Sequence, residues 1–180
     1  MAKNVRTRRG PRRVAWAAFC MVMLLGASVS ASGLTERLGL TGKFFLALGG
    51  SGKCLTKARG ANMGRQFHAW DCKSSGDSQE FTLHERGKGW YMIATARGRM
   101  CLDVSGSARK NGAPVVHWSC LGNNNQLWQL IPDGGSPRFQ LRVQHSGKCL
   151  HLDRASKKIA TFVQRDCKRG DPAQMFKTTH

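Results

Sequence analysis

The architecture follows from the tetrapeptide GKCL at residues 52–55, which returns as RMCL at 99–102 and as GKCL at 147–150. Two further markers recur with it: a second cysteine at 72, 120 and 167, and a Gln-x-aromatic triplet starting at 79, 126 and 174. All three markers step by 47 or 48 residues. Because three independent markers keep one period, the sequence predicts three structural repeats. We place them at residues 43–86, 87–133 and 134–180.

Within each repeat, apolar residues form short runs rather than helical faces. Each repeat opens with a run of β-forming residues, and turn residues such as GGSG at 49–52 bound these runs. No segment after Ala31 keeps an apolar face at helical spacing for the length of a helix. With about four strands in each repeat, we predict an all-β fold of about 12 strands whose repetition avoids exposed sheet edges.

Six of the seven cysteines belong to the repeats. Six cysteines allow 15 pairings, but equivalent repeats are expected to be bridged alike, which predicts one disulfide within each repeat. The predicted pairs are Cys54–Cys72, Cys101–Cys120 and Cys149–Cys167. Each closed loop would constrain the unfolded chain by roughly 3 kcal/mol in the loop-entropy model.

The first 31 residues have the three-part layout of a secretory signal. Residues 1–13 are cationic, residues 14–25 are apolar, and small residues lead to Ala31. We predict a signal peptide at 1–31, a short lead-in at 32–42 and one domain at 43–180, in a secreted, extracellular protein. An uncleaved signal anchor is the alternative, and no other segment is suited to cross a membrane. The even number of remaining cysteines agrees with export to an oxidising compartment.

The middle repeat carries the most complete set of motifs. These are CLDV at 101–104, NGAPV at 111–115, WSC at 118–120 and NQLW at 125–128. With the three-fold period, they resemble the ricin B-chain lectin family over about residues 43–180. The resemblance implies a β-trefoil, a six-stranded barrel capped by three hairpins. It also implies binding of galactose-type or related sugars on glycoproteins or glycolipids, with no cofactor.

The family's sugar site maps onto four residues of the middle repeat. Asp103 resembles the carboxylate that accepts hydroxyl protons in strong, charge-assisted bonds. Trp118 resembles the flat platform on which the C–H face of a sugar stacks. Asn125 resembles the amide that bonds a hydroxyl, and Gln126 the residue that steadies Asp103. One departure is Val116, which stands where the family often has a polar residue, so one hydrogen bond is expected to be missing.

The outer repeats match this motif less well. In the first repeat, Thr56 replaces the carboxylate and Ser78 replaces the Asn. Trp70 keeps the platform and His68 could donate a bond, so we predict a weaker second site at Trp70, His68 and Gln79. The corresponding residues of the third repeat are His151, Arg165 and Ala173. We therefore expect the third site to be lost.

Residues that recur in every repeat, whatever the state of the sugar motif, are expected to serve the fold. We predict that the three aromatic residues of the triplets lie in the core and that the three glutamines satisfy backbone groups. These residues are Phe81, Trp128 and Phe176, with Gln79, Gln126 and Gln174.

The formal net charge is +19, and the third repeat is its most basic part, with ten basic and three acidic residues. We predict a basic patch at Arg154, Lys157, Lys158, Arg165, Lys168 and Arg169. One hypothesis is contact with anionic glycans, acidic lipid headgroups or nucleic acid, and the other is a solvated face without a partner. Export and the lack of interleaved aromatic residues argue against nucleic acid.

Catalysis and metal binding are not expected. A glycosidase needs two carboxylates about 5–10 Å apart, and no acidic pair interrupts a repeat. The chain also lacks G-x-S-x-G, H-E-x-x-H, a phosphate-binding Gly loop and any C-x-x-C pair. The sequence thus predicts a binding protein rather than an enzyme, with no metal. The alternative is a non-catalytic targeting subunit of a toxin or enzyme complex, with its partner protein encoded elsewhere.

Overall fold

The computed structural model describes residues 31–49, 51–60, 63–154 and 159–180. The predicted signal peptide lies outside the described residues, apart from its last position, Ala31. Among the helices of the described residues, none is long and apolar enough to span a membrane.

Twelve strands are present in the described residues, four from each predicted repeat. They are β1 (Lys43–Leu48), β2 (Lys53–Thr56), β3 (His68–Asp71), β4 (Glu80–Glu85), β5 (Tyr91–Thr95), β6 (Met100–Val104), β7 (Val115–Ser119), β8 (Trp128–Pro132), β9 (Phe139–Val143), β10 (Cys149–Asp153), β11 (Thr161–Arg165) and β12 (Phe176–Thr179).

Six of these strands close into a barrel. β1 pairs with β4, β4 with β5, β5 with β8, β8 with β9, β9 with β12, and β12 again with β1, all antiparallel. The ring returns to its first strand, which removes the open sheet edges that favour aggregation. The other six strands form the hairpins β2–β3, β6–β7 and β10–β11. This architecture confirms the predicted all-β trefoil.

One aromatic pair from each repeat fills the barrel. The pairs, matched in register across antiparallel strands, are Phe44–Phe81, Tyr91–Trp128 and Phe139–Phe176. All six side chains are buried, and burying one such side chain stabilises a fold by about 1.5–3 kcal/mol. The prediction that the aromatic residues of the three triplets lie in the core is therefore confirmed.

A disulfide joins each hairpin to the segment that follows it. The bridges are Cys54–Cys72, Cys101–Cys120 and Cys149–Cys167, the pairs that the symmetry of the sequence predicted. Each first cysteine is fully buried and faces, across its hairpin, the position where the sugar motif has its platform residue. Those partners are Trp70, Trp118 and Arg165.

A short helix, α1 (Ala31–Arg37), precedes the barrel, although the sequence predicted no helix there. Seven residues are too few to show a helical period, but Leu34 and the buried Leu38 pack against the core. The helix is followed by a turn at Gly39, whose φ of +63° favours glycine. A Cβ at this position would lie 2.8 Å from Thr178 Oγ1 of the last strand, so the chain end and the lead-in are closely packed.

Candidate functional site

The middle hairpin places the predicted sugar-site residues around one cleft. β6 and β7 pair so that Cys101 faces Trp118 and Asp103 faces Val116. We call this space the middle cleft; its volume is about 320 Å³, and its lining includes Asp103, Ser107, Val116, Trp118, Leu121 and Asn125. Its size is at the lower end of the range for small-molecule pockets.

Asp103 is a buried carboxylate held by an amide. It is only 6% exposed, and its Oδ2 accepts a hydrogen bond of 2.8 Å from Gln126 Nε2. Burial raises the pKa of Asp103, whereas hydrogen bonds from Gln126 and Asn125 and the nearby His145 act in the opposite direction. Because the carboxylate has lost much of its water, hydroxyl donors from a ligand would stabilise its ionised form.

Trp118 offers an indole to the same cleft and is 39% exposed. The first repeat supports this part of the hairpin. Gly64 N–H donates to the His117 oxygen at 2.9 Å, and His117 N–H donates to the Arg65 oxygen at 3.1 Å. A Cβ built on Gly64 would lie 3.5 Å from the six-membered ring of Trp118. The platform is therefore backed by a neighbouring repeat.

Asn125 is tied to the hairpin rather than left free. Its Nδ2 donates to the Val104 backbone oxygen at 3.0 Å, and its amide acts to lower the pKa of the Asp103 carboxyl. Its Oδ1 is buried and has no hydrogen-bond partner in the part of the chain that the structure describes. Asn125 thus lies beside the carboxylate, and its contact with a sugar hydroxyl stays a prediction.

The three recurring glutamines do the same structural work in each repeat. Each is buried, and each donates to the backbone oxygen before the second cysteine while accepting from the N–H after it. The pairs of partners are Asp71 and Lys73 for Gln79, Ser119 and Leu121 for Gln126, and Asp166 and Lys168 for Gln174. The prediction that these side chains satisfy backbone groups is confirmed.

The middle cleft also contains residues that the sequence reasoning missed. Leu121 is 62% exposed and, with the buried Val116, gives the cleft an apolar edge. Ser105 and Ser107 reach the cleft through a tight turn, in which Gly106 has a φ of +60° and Ser107 a φ of +50°. A Ser-Gly-Ser triplet soon after Asp103 is a turn signal, and it could have identified these two serines.

The first hairpin carries a related pocket. Trp70 is 51% exposed, and the His68 ring lies edge-on to it with centroids 6.3 Å apart. Together they line a pocket of about 260 Å³. Gln79, the third residue predicted for this site, is fully buried and donates to Thr56 Oγ1 at 2.9 Å. It therefore supports the pocket from beneath the surface.

In the third hairpin, the two replacements are paired with acids of their own repeat. His151 Nδ1 lies 3.7 Å from Asp171 Oδ2, and Arg165 Nη2 lies 3.6 Å from Asp153 Oδ2. Burial lowers the pKa of His151, and the Asp171 carboxylate acts against that effect. Both side chains at the sugar position thus have acidic neighbours in their own repeat, and loss of this site stays a prediction.

The residues of the predicted basic patch have different neighbours. Lys157 and Lys158 lie outside the described residues. Arg154 lines a pocket with Trp70 of the first repeat, whereas Arg169 lines another pocket at the end of β8. A common contact surface on the third repeat therefore stays a prediction.

Comparison with known proteins agrees with this geometry. Residues 44–176 match the family model of the ricin-type beta-trefoil lectin domain. The chain belongs to the ricin-type β-trefoil lectin family. This lectin is 34% identical to the probable lipoprotein EnvE of Salmonella typhimurium over 80 residues, 44% of the chain and 38% of that protein. It is also 34% identical to an agglutinin of Ricinus communis over 62 residues, 33% of the chain and 10% of that protein.

Those two matches span less than half the length of the curated relatives. Among solved structures, the designed three-fold symmetric protein ThreeFoil has a TM-score of 0.70 and 28% identity, over 77% of this lectin and 98% of the designed chain. Membership in a family of lectin domains indicates carbohydrate binding, and such domains are typically non-catalytic. In the described ranges, no three His, Cys, Asp or Glu side chains are grouped to hold a metal ion.

Proposed function

We propose that this protein is an exported lectin that binds galactose-type or related sugars in its middle cleft. The observation that carries the proposal is the presence of a half-exposed indole and a buried, amide-held carboxylate in one cleft. The Trp118 ring would contact the C–H face of the sugar. Asp103 would accept hydrogen bonds from two sugar hydroxyls, and such bonds are stronger when the acceptor is charged.

The expected strength of this interaction is low. One shallow site with one platform and one carboxylate is expected to have a Kd of about 0.1–1 mM, or about −4 to −5.5 kcal/mol. Tight attachment to a glycan-covered surface would then depend on several copies binding together.

Export is supported by the disulfides. Three bridges in one small domain are typical of proteins that fold in an oxidising compartment. The leader-like first 31 residues of the sequence agree with this location.

The substitution Asp103→Asn tests the site. Asn keeps an oxygen to accept the Gln126 bond but removes the charge, so lactose affinity should fall by at least about tenfold, the loss expected for one charge-assisted bond. The melting temperature should change little, because the substitution keeps the hydrogen bond from Gln126 and removes only a buried charge. Isothermal titration and a glycan array would measure binding.

The matched control is Asp171→Asn in the third repeat, which removes one acid outside the middle cleft and should leave lactose binding unchanged. If Asp103→Asn bound lactose as well as the wild type, the proposed site would be wrong.

A second candidate function is a non-catalytic targeting subunit of a larger complex. The agglutinin relative supports it, since the matched segment is only 10% of a longer protein. All six cysteines of the three repeats are in internal disulfides, so a partner chain would be held noncovalently. A second polypeptide that co-purifies with the native protein would favour this function; a monomer eluted by sugar would favour the free lectin.

A further inference from the structure

The pocket on the first hairpin differs from the middle cleft mainly in charge. We call it the first-repeat pocket; its lining includes Thr56, Lys57, Arg59, His68, Trp70 and Lys73. Its platform is equivalent to that of the middle cleft, since Trp70 faces Cys54 as Trp118 faces Cys101. The scaffold is therefore shared, and the chemistry around the indole is not.

The first-repeat pocket is lined by three cations and, among its described residues, has no carboxylate. Where the middle cleft has Asp103, this pocket has Thr56, whose hydroxyl accepts from Gln79. Lys57, Arg59 and Lys73 line the pocket, and no acidic residue does. Among the described residues, none of these three cations forms a salt bridge. A ligand with a negative group would gain charge-assisted bonds here that a neutral sugar lacks.

The neutral groups of the pocket suit a sugar ring. Burial, and then the Arg65 charge, lower the pKa of His68, so its ring is neutral near pH 7 and can donate or accept one hydrogen bond to a hydroxyl. Half of the Trp70 surface is exposed, which leaves a flat apolar area for stacking. The pocket thus combines a sugar platform with an anion-binding edge.

A second pocket continues past the same indole. Its volume is about 340 Å³, and its lining includes Lys53, Trp70, Leu152, Arg154 and Ile159. Lys53 is paired with Asp71 at 2.6 Å, whereas Arg154 is exposed and has no salt bridge among the described residues. Cations therefore lie on both sides of Trp70, one group from the first repeat and one from the third.

We propose that the first-repeat pocket binds an acidic glycan, with a sugar ring stacked on Trp70 and its carboxylate or sulfate group held by Lys57, Arg59 and Lys73. A chain of two or more sugars would continue into the second pocket, where Arg154 meets the next anionic group. The middle cleft binds neutral sugars, so the molecule recognises two classes of glycan on adjacent hairpins.

The arrangement favours a glycan over nucleic acid. Proteins that bind single-stranded nucleic acid stack successive bases on several aromatic side chains. Trp70 is the one aromatic residue, apart from the His68 ring, in the linings of these two pockets. A single platform beside a cluster of cations fits one sugar ring with an anionic substituent.

The experiment compares two variants that lose equal charge. In K57Q/R59Q/K73Q the three cations of the pocket are neutralised, and in R109Q/K110Q/K177Q three exposed cations outside it are neutralised. Titration calorimetry would use a heparin hexasaccharide, trigalacturonic acid, lactose and a single-stranded oligothymidylate. Sulfate and carboxylate binding are distinguished by the first two probes.

Wild-type protein should bind at least one acidic glycan, and K57Q/R59Q/K73Q should bind it at least about tenfold more weakly, since charged hydrogen bonds are lost. The control variant should change affinity by less than about twofold, because none of its three cations lines either pocket. Trp70→Ala should also weaken binding of the acidic glycan. Lactose binding at the middle cleft should be unchanged in all three variants.

Three results would each overturn the proposal: no binding of either acidic glycan by the wild type, equal losses in the two triple variants, or full binding by Trp70→Ala. Tighter binding of the oligothymidylate with the same dependence on Lys57, Arg59 and Lys73 would assign the pocket to nucleic acid instead. Lactose binding that depends on Asp103 reports on the middle cleft, so failure there is separable from failure here.

Discussion

The middle and third hairpins pair their strands in the same way around the disulfide, but the side chains at the sugar position differ in chemistry. Each has a buried cysteine facing the platform position and a buried glutamine bridging the same backbone groups. In the middle hairpin that frame holds Asp103 and Trp118 open to a cleft. In the third it holds His151 and Arg165, each facing an acid of its own repeat.

The difference shows that fold and binding are set by separate groups of residues. The glutamine satisfies backbone groups, the disulfide cross-links the repeat and the aromatic residue fills the barrel, so a change at any of them should cost much stability. The two side chains at the sugar position contribute little to the core, and they differ between the repeats. The first hairpin, with Trp70 beside three cations, is a third outcome on the same frame.

The largest expected effect tests the shared frame. Gln126→Leu and Gln174→Leu should each destabilise the protein by about 2–5 kcal/mol, because each leaves a partly buried backbone oxygen and at least one partly buried N–H without its partner. Urea unfolding would measure the loss. In addition, only Gln126→Leu should weaken lactose binding, because only Gln126 holds a carboxylate.

The comparison would be contradicted if Gln174→Leu lowered the free energy of unfolding by less than about 1 kcal/mol while Gln126→Leu lowered it by much more. The glutamine would then serve the sugar site in the middle repeat and have little structural role in the third.

An intermediate effect is expected from rebuilding the third hairpin as a sugar site. Gln174 Nε2 donates to the Asp166 oxygen at 2.9 Å, and its second N–H is suited to a carboxylate placed at position 151. An acid there would lie close to Asp171, so this neighbour must also lose its charge. The variant therefore combines His151→Asp, Arg165→Trp, Asp171→Asn and Ala173→Asn.

Lactose titration of this variant should show two sites per chain instead of one, the new one with a Kd of about 1 mM or weaker. The matched control carries Arg165→Trp alone and should still show one site, since it has a platform without a carboxylate. If the fourfold variant folds and still binds one lactose, then backbone differences between the hairpins decide binding, contrary to the comparison.

The features that the sequence predicted are those that occur three times. The period, the disulfides, the buried glutamines and the core aromatic residues each answer a physical demand that every repeat makes, so recurrence identified them. Among the described residues, the helix at Ala31–Arg37 and the turn at Ser105–Ser107 each occur once. Each is too short to give a periodic signal in the sequence.

The distribution of charge was the hardest feature to predict. Counting by repeat placed the basic surface on the third repeat, with a net charge of +7, and gave the first and second repeats the same +3. In the structure, third-repeat cations such as Lys148 and Arg165 pair with acids. By contrast, Lys57 and Lys73 are brought to one pocket by the first hairpin. Net charge does not reveal which cations lack an acidic neighbour, because that depends on which strands pair.

The smallest expected effect concerns pH and compares the two titratable side chains at the equivalent positions 103 and 151. Burial acts on both, raising the pKa of Asp103 and lowering that of His151, because it disfavours the charged form of each. Sugar binding needs the ionised carboxylate of Asp103. As the pH falls, lactose affinity should therefore decline with a midpoint above the ordinary Asp pKa of about 3.9.

The raised pKa of Asp103 gives folding stability a pH dependence opposite to that of lactose binding. A buried carboxyl whose folded pKa is raised stabilises the folded state most when it is protonated, and that contribution is lost as the pH rises through the folded pKa. Acid should thus remove lactose binding without loss of folding energy from Asp103 itself. Lactose titrations and urea unfolding at matched pH values would separate the two trends. In the Asp103→Asn variant, the pH trends of lactose binding and of stability should both disappear. If lactose binding by the wild type has a midpoint at or below about pH 3.9, the carboxylate is better solvated than its 6% exposure indicates.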